Sequence, residues 1–164
     1  MAKWEDKDPK WIVQDRQDGS NVNGWHWEEK NQLGWSKQKL EELLVGLLVD
    51  MSAAQGEAKV TALKDLKGEA LLTTRKGKKR FAMYDLTVTL TWQGLWVEDD
   101  KKQVTGEIII GEFASANDPD EYEWSVTAEG TGTAQDKLKD HVNTLRKPVF
   151  DKLQRYVTAL NSLI

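Results

Sequence analysis

The sequence predicts an α+β domain: an N-terminal helix, an antiparallel meander of four to five strands, and a long kinked C-terminal helix. Three observations predict it. Leu40, Leu43, Leu44, Leu47 and Leu48 recur at helical spacing and form one apolar stripe. Tyr84, Leu86, Val88, Leu90 and Trp92 alternate with Asp85, Thr87, Thr89 and Thr91, the period of a strand with one buried and one wet face. Leu138, Val142, Leu145, Val149, Leu153, Tyr156 and Leu160 step by fours and threes along the last segment, which Pro148 interrupts. A chain of 164 residues can bury one real core, and amphipathic helices and half-wet strands must bury their apolar sides against each other.

Residues 1–20 are charged and polar, with Pro9, Asp18 and Gly19 as breakers, and read as a weakly held head. The first helix is expected to start at Ser36 as N-cap, with Trp35 and Leu40 as a hydrophobic staple, and to end near Asp50. "AKVTAL" reads as a strand, and Gly68 in "LKGEALLTT" as a turn into a second. "RKGKKR" is a polar turn around Gly77 with a strand on each side. Phe81 and Met83 fall out of phase with the strand that follows, which predicts a bulge near Met83 or Tyr84. "QGLWVEDDKKQ" reads as a loop. "VTGEIIIGEF" makes a fourth strand with Val104, Ile108 and Ile110 on one face, and "EYEWSVTA" a fifth. Thr133 with Asp136 resembles a capping box for the last helix, which Pro148 should kink or split.

Composition narrows the function. Cysteine is absent, which excludes a disulfide frame, a thiolate metal site and a cysteine nucleophile. With a polar, leaderless start, this points to a reducing compartment, the cytoplasm. The longest apolar run, "LLVGLLV", is too short to span a bilayer. Net charge is −4, so the chain as a whole is not built for nucleic acid. His26 and His141 stand far apart, and no nucleophile elbow, HExxH or phosphate loop occurs, so no catalytic residue, metal ligand or cofactor site is expected.

Two stretches stand out. "RKGKKR", residues 75–80, puts five cations in six residues of an acidic chain. It is either a solvated hairpin tip or a docking patch for an acidic protein surface. "NVNGWHWEEK", residues 21–30, sets Trp25 and Trp27 to one side and His26 to the other if the backbone is extended. The tryptophans suit the domain's own core, whereas Asn21 and Asn23 suit a loop or a contact. The eight tryptophans also leave open a groove for an apolar or carbohydrate ligand.

Together the two stretches carry a resemblance. "NVNGWHWEEKN" with "WSK" at 35–37, and "RKGKK" about fifty residues later between two strands, resemble the N-terminal domain of the activators of the heat shock protein 90 ATPase. The opening is similar to animal and plant members, and the likeness runs on through "GEALLTTRKGK" to the kinked last helix. The resemblance implies a co-chaperone domain rather than an enzyme, monomeric when free, spanning 1–164 as a single domain, with the family's START-like second domain absent from this chain. It implies docking on the middle domain of the chaperone and a preference for the closed, ATPase-competent dimer. The family's RKxxK motif falls on Arg75, Lys76 and Lys79, with Lys78 also basic. Its NxNNWHW motif falls on Asn21, Asn23, Trp25, His26 and Trp27, with Gly24 in place of one asparagine. The first set is expected to bind the partner, and the second to stimulate its ATPase.

Overall fold

The computed structural model describes residues 28–75, 79–98 and 101–163. The expected weakly held head and residues 21–27 lie outside them. In chain order the elements are β1 (Glu28–Asn31), α1 (Leu33–Leu44), β2 (Gly56–Arg75), β3 (Lys79–Trp96), β4 (Lys102–Ala114), a 3-10 turn (Pro119–Glu121), β5 (Glu123–Ala128), α2 (Thr133–Asn143) and α3 (Arg146–Asn161). The five strands form one antiparallel sheet in chain order. The architecture is the expected α+β meander with helices on one face.

The inner face carries the apolar phase of each strand. Val60, Val88, Leu90, Trp92, Ile108 and Ile110 are fully buried there, together with Leu40 and Leu44 of α1, Leu138 and Val142 of α2, and Val149, Leu153, Tyr156 and Leu160 of α3. Trp92 lies over Gly106, where a Cβ would come within 2.7 Å of the indole ring, and its Nε1 donates to the Thr127 carbonyl at 3.1 Å. Such a ring brings a large apolar area into the core, and its one polar atom is satisfied. The outer face is polar along the middle of β3: Thr87, Thr89 and Thr91 are only partly covered, and Lys64 of β2 reaches over β3 to pair with Glu107 of β4.

Several local expectations are corrected. α1 starts at Leu33, not after Ser36: the Asn31 side chain accepts the Leu33 N–H at 2.8 Å. Ser36 is buried inside the helix, where its hydroxyl meets the Tyr156 hydroxyl at 2.7 Å. The helix stops at Leu44 because Val45 turns extended and Gly46 takes a φ of +95°. Residues 46–49 then hydrogen-bond along β2, through Gly46 N–H to the Val60 carbonyl and Val49 N–H to the Ala58 carbonyl. Leu48 therefore leaves the stripe and is 72% exposed.

Gly68 makes no turn. It takes a φ of +117° inside a continuous 20-residue β2, with β3 so near that a Cβ would sit 1.9 Å from the Asp85 carbonyl oxygen. The fifth strand of the sheet comes instead from β1, whose four residues, EEKN, have no apolar side chain. Met83 and Tyr84 pair regularly with Leu71 and Ala70; the register shifts lie between Val60 and Ala62, Leu63 and Asp65, and Leu86 and Val88. Phe81 and Met83 are out of phase because they stand on the outer face. The expected loop after Trp92 shrinks, since β3 runs on to Trp96 and β4 begins at Lys102.

Gly132, not Thr133, holds the N-cap position of α2, and no side chain caps it. The capping box of this chain is Asp118 with Glu121, at the 3-10 turn. Pro148 does split the last helix. It cannot donate to the carbonyl of Thr144 one turn back, and the helix breaks between Asn143 and Arg146.

Candidate functional site

The hairpin of β2 and β3 is the longest feature of the sheet, with strands of 20 and 18 residues. Its tip is closed by the pair Arg75 and Lys79, so the basic turn sits at one end of the sheet, as the sequence expects. Arg75 and Lys79 are placed by their backbone, at the last and first residues of their strands. Lys76 and Lys78 lie outside the described residues. Arg80 follows on β3, opposite Thr74, and its side chain is exposed.

β1, which follows the second motif in sequence, pairs at the same end. Glu28 pairs with Thr74, Glu29 with Thr73, Lys30 with Leu72 and Asn31 with Leu71. Glu28 thus lies across from the residue that precedes Arg75, and Trp27 is its covalent neighbour. Asn21, Asn23, Trp25, His26 and Trp27 are themselves outside the described residues, but the strand that follows them is hydrogen-bonded beside the basic turn. Glu28, the first described residue after the strip, and the strand ends Arg75 and Lys79 thus lie at one end of the sheet.

Residues that sequence reasoning passed over complete this end. Glu28, Glu29, Lys30, Leu72, Thr74, Arg80 and Leu163 line a depression of about 380 Å³ between β1, the hairpin and the end of the chain's last helical segment. β1 escaped notice because four exposed residues without alternation give no strand signal. Its pairing rests on backbone bonds to β2, continued by Gln32 N–H to the Ala70 carbonyl at 2.7 Å.

Several other chemistry-bearing groups among the described residues have structural partners. His141 packs against Trp96 with ring centres 5.9 Å apart and planes tilted by 36°. Asp118, Asp120 and Glu121 cluster on the surface, and Glu121 accepts the Asp118 N–H at 2.8 Å. Tyr84 and Tyr156 are buried, and burial pushes both phenols up, that of Tyr156 to about 12. They stay neutral at physiological pH. Of the tryptophans, Trp92 and Trp96 are core, Trp35 packs on Tyr156 at 5.9 Å, and Trp124 donates to Asn143 at 2.9 Å. Among the described residues, no helix is long and apolar enough to cross a membrane.

A long hairpin with Arg75 and Lys79 at its strand ends, on a five-stranded α+β sheet, is the feature that distinguishes this domain. The comparisons with known proteins say which family it belongs to. The family described as activator of Hsp90 ATPase, N-terminal, matches residues 29–162, and the chain belongs to that family. An activator of 90 kDa heat shock protein ATPase homolog 2 from Bos taurus is 40% identical over 164 residues, 99% of this chain and 60% of that protein. The human activator homolog 1 is 40% identical over 127 residues, 77% of this chain and 36% of that protein. The chain thus spans at most about three fifths of these curated relatives. The solution structure of the human Aha1 N-terminal domain aligns with a TM-score of 0.55 at 27% identity, covering 81% of this chain and 92% of that one. Aha-1 from Plasmodium falciparum aligns at 0.59 with 17% identity, over 79% and 82% of the two chains, and shares the fold.

Proposed function

We propose that this chain is a cytoplasmic co-chaperone domain that binds the middle domain of Hsp90 and stimulates its ATPase by favouring the closed dimer, without turnover of its own. The register of β1 beside the basic turn is the observation that carries the reading. It sets Glu28, the residue that follows the asparagine–tryptophan strip in sequence, near the strand ends Arg75 and Lys79, and so supports a shared role for the two stretches. In this reading Arg75, Lys76, Lys78 and Lys79 supply affinity for an acidic face of the chaperone. Trp25 and Trp27 hold the strip to the domain, and Asn21, Asn23 and His26 face the partner.

Stimulation requires unequal binding. A ligand that binds open and closed states equally shifts nothing. A tenfold rise in turnover needs about 1.4 kcal/mol of preference, which two or three polar contacts can supply. The test is binding of Hsp90 by calorimetry, with Arg75→Glu and Lys76→Glu together as the perturbation. Affinity should fall by at least about tenfold and should also weaken as salt rises from about 50 to about 300 mM. Unchanged affinity in a variant with an intact circular dichroism spectrum would overturn the assignment.

A further inference from the structure

We infer that the outer face of the sheet around Thr73 and Phe81 is a seat for Trp27, and that this seat fixes the root of the asparagine–tryptophan strip. The inference deepens the proposed function by naming the surface that receives the strip, and rests on it for what the strip does. Glu29, Thr73 and Phe81 form one row across β1, β2 and β3, and Asn31, Leu71 and Met83 form the next row on the same face. Here the outer face carries large apolar side chains, where the middle of β3 carries threonines. Met83 is 45% exposed, and Leu71 and Phe81 are partly covered. β4 ends at Ala114, opposite Asp85, and so does not run alongside this patch.

The burial of Thr73 points to a cover. Thr87, Thr89 and Thr91 also stand on the outer face, on a strand with a neighbour on each side, and all three stay partly exposed. Thr73 has the same setting, between β1 and β3, yet is only 3% exposed. Its β1 neighbour Glu29 is itself exposed. Trp27 is the large apolar residue nearest in the chain. Residues two apart on an extended strand share a face, so an extended backbone through Glu28 puts Trp27 on the side of Glu29 and Thr73. β1 is paired as far as Glu28 with Thr74, and one more residue brings position 27 opposite Arg75. Thr73 is then its diagonal neighbour, at about 7–8 Å, within reach of an aromatic side chain. An indole on this patch takes a large apolar area out of water. Asn21 stands six residues before Trp27, so a held Trp27 limits its reach to about 20 Å. The strip is thereby confined near one end of the sheet, which raises its effective concentration at a partner surface docked there.

Hydroxyl-radical footprinting of the chain alone tests this, read residue by residue by mass spectrometry against the same chain unfolded in guanidinium. Trp27 should be protected at least about fivefold in the folded chain. Phe81→Ser should cut that protection to under about twofold while buried Trp92 stays as protected as before. Leu48→Ser, at an exposed site bridged to Lys59 toward the other end of β2, should change neither. In the reverse direction, Trp27→Ala alters no residue of the described sheet and should speed the labelling of Phe81 by about twofold or more. A Trp27 that reacts as fast in the folded parent as in the unfolded chain would overturn the inference. So would full protection of Trp27 in a folded Phe81→Ser chain, or unchanged labelling of Phe81 in Trp27→Ala. No chaperone is present in these measurements, so a protected Trp27 in a chain that leaves Hsp90 turnover unchanged would uphold the seat and reject the proposed function.

Discussion

Ser36 and Tyr156 are 120 residues apart in the chain, and their hydroxyls meet inside the core. Local pattern assigns Ser36 to a helix cap because serine at a helix start usually serves there. Nothing in its neighbours announces a tyrosine from the last helix. Ser36→Ala should leave the buried Tyr156 hydroxyl without a partner and cost about 1–3 kcal/mol, read from the denaturant midpoint. Tyr156 also predicts a pH response. Its folded pKa, about 12, lies above the ordinary 10, so its contribution is complete below pH 10 and is lost as pH rises toward 12. Alkaline unfolding should therefore begin at higher pH in Tyr156→Phe than in the parent. The leucine stripe divides in the same manner: Leu44→Ala, at a fully buried site, should cost about 2–5 kcal/mol. Leu48→Ala, at a 72% exposed site, should cost under about 0.5 kcal/mol. Equal costs would contradict the early end of α1.

At the scale of elements, what was legible depended on period. β3 and β4 were readable because their buried residues alternate over most of their length, and the last helix because its apolar residues step by threes and fours up to and beyond Pro148. β1 was invisible, since its pairing uses backbone groups that every sequence possesses. Gly68 misled for a physical reason. Glycine marks turns because it tolerates positive φ, but it serves equally where one strand must kink against its neighbour. Here the backbone of Asp85 occupies the space a side chain would need. Gly68→Ala should therefore destabilise by more than about 1 kcal/mol, through both φ strain and the clash. Gly34→Ala, in α1 with open space around the site, should be neutral or slightly stabilising by melting temperature. A neutral Gly68→Ala would mean that β2 is interrupted there after all.

For the whole molecule, the sheet is an elongated platform whose helices cover one face and whose long hairpin carries charge to one end. The candidate site was legible as two motifs. The pairing of Glu28, the residue after the second of them, beside the hairpin was not, because it depends on β1. This acidic chain, with a net charge of −4, carries five of its 23 Lys and Arg residues within residues 75–80, a local excess that in the proposed account orients encounter with an acidic partner. In the proposed account, the hairpin gives affinity and the strip before β1 gives preference for the closed chaperone. The most direct measurement is the Hsp90 ATPase rate against concentration of the parent chain and of Asn21→Ala with Asn23→Ala. The account predicts saturable stimulation by the parent and, for the variant, a lower plateau at nearly the same half-saturation. The same plateau reached at a higher concentration would contradict it, since the strip would then only add to binding.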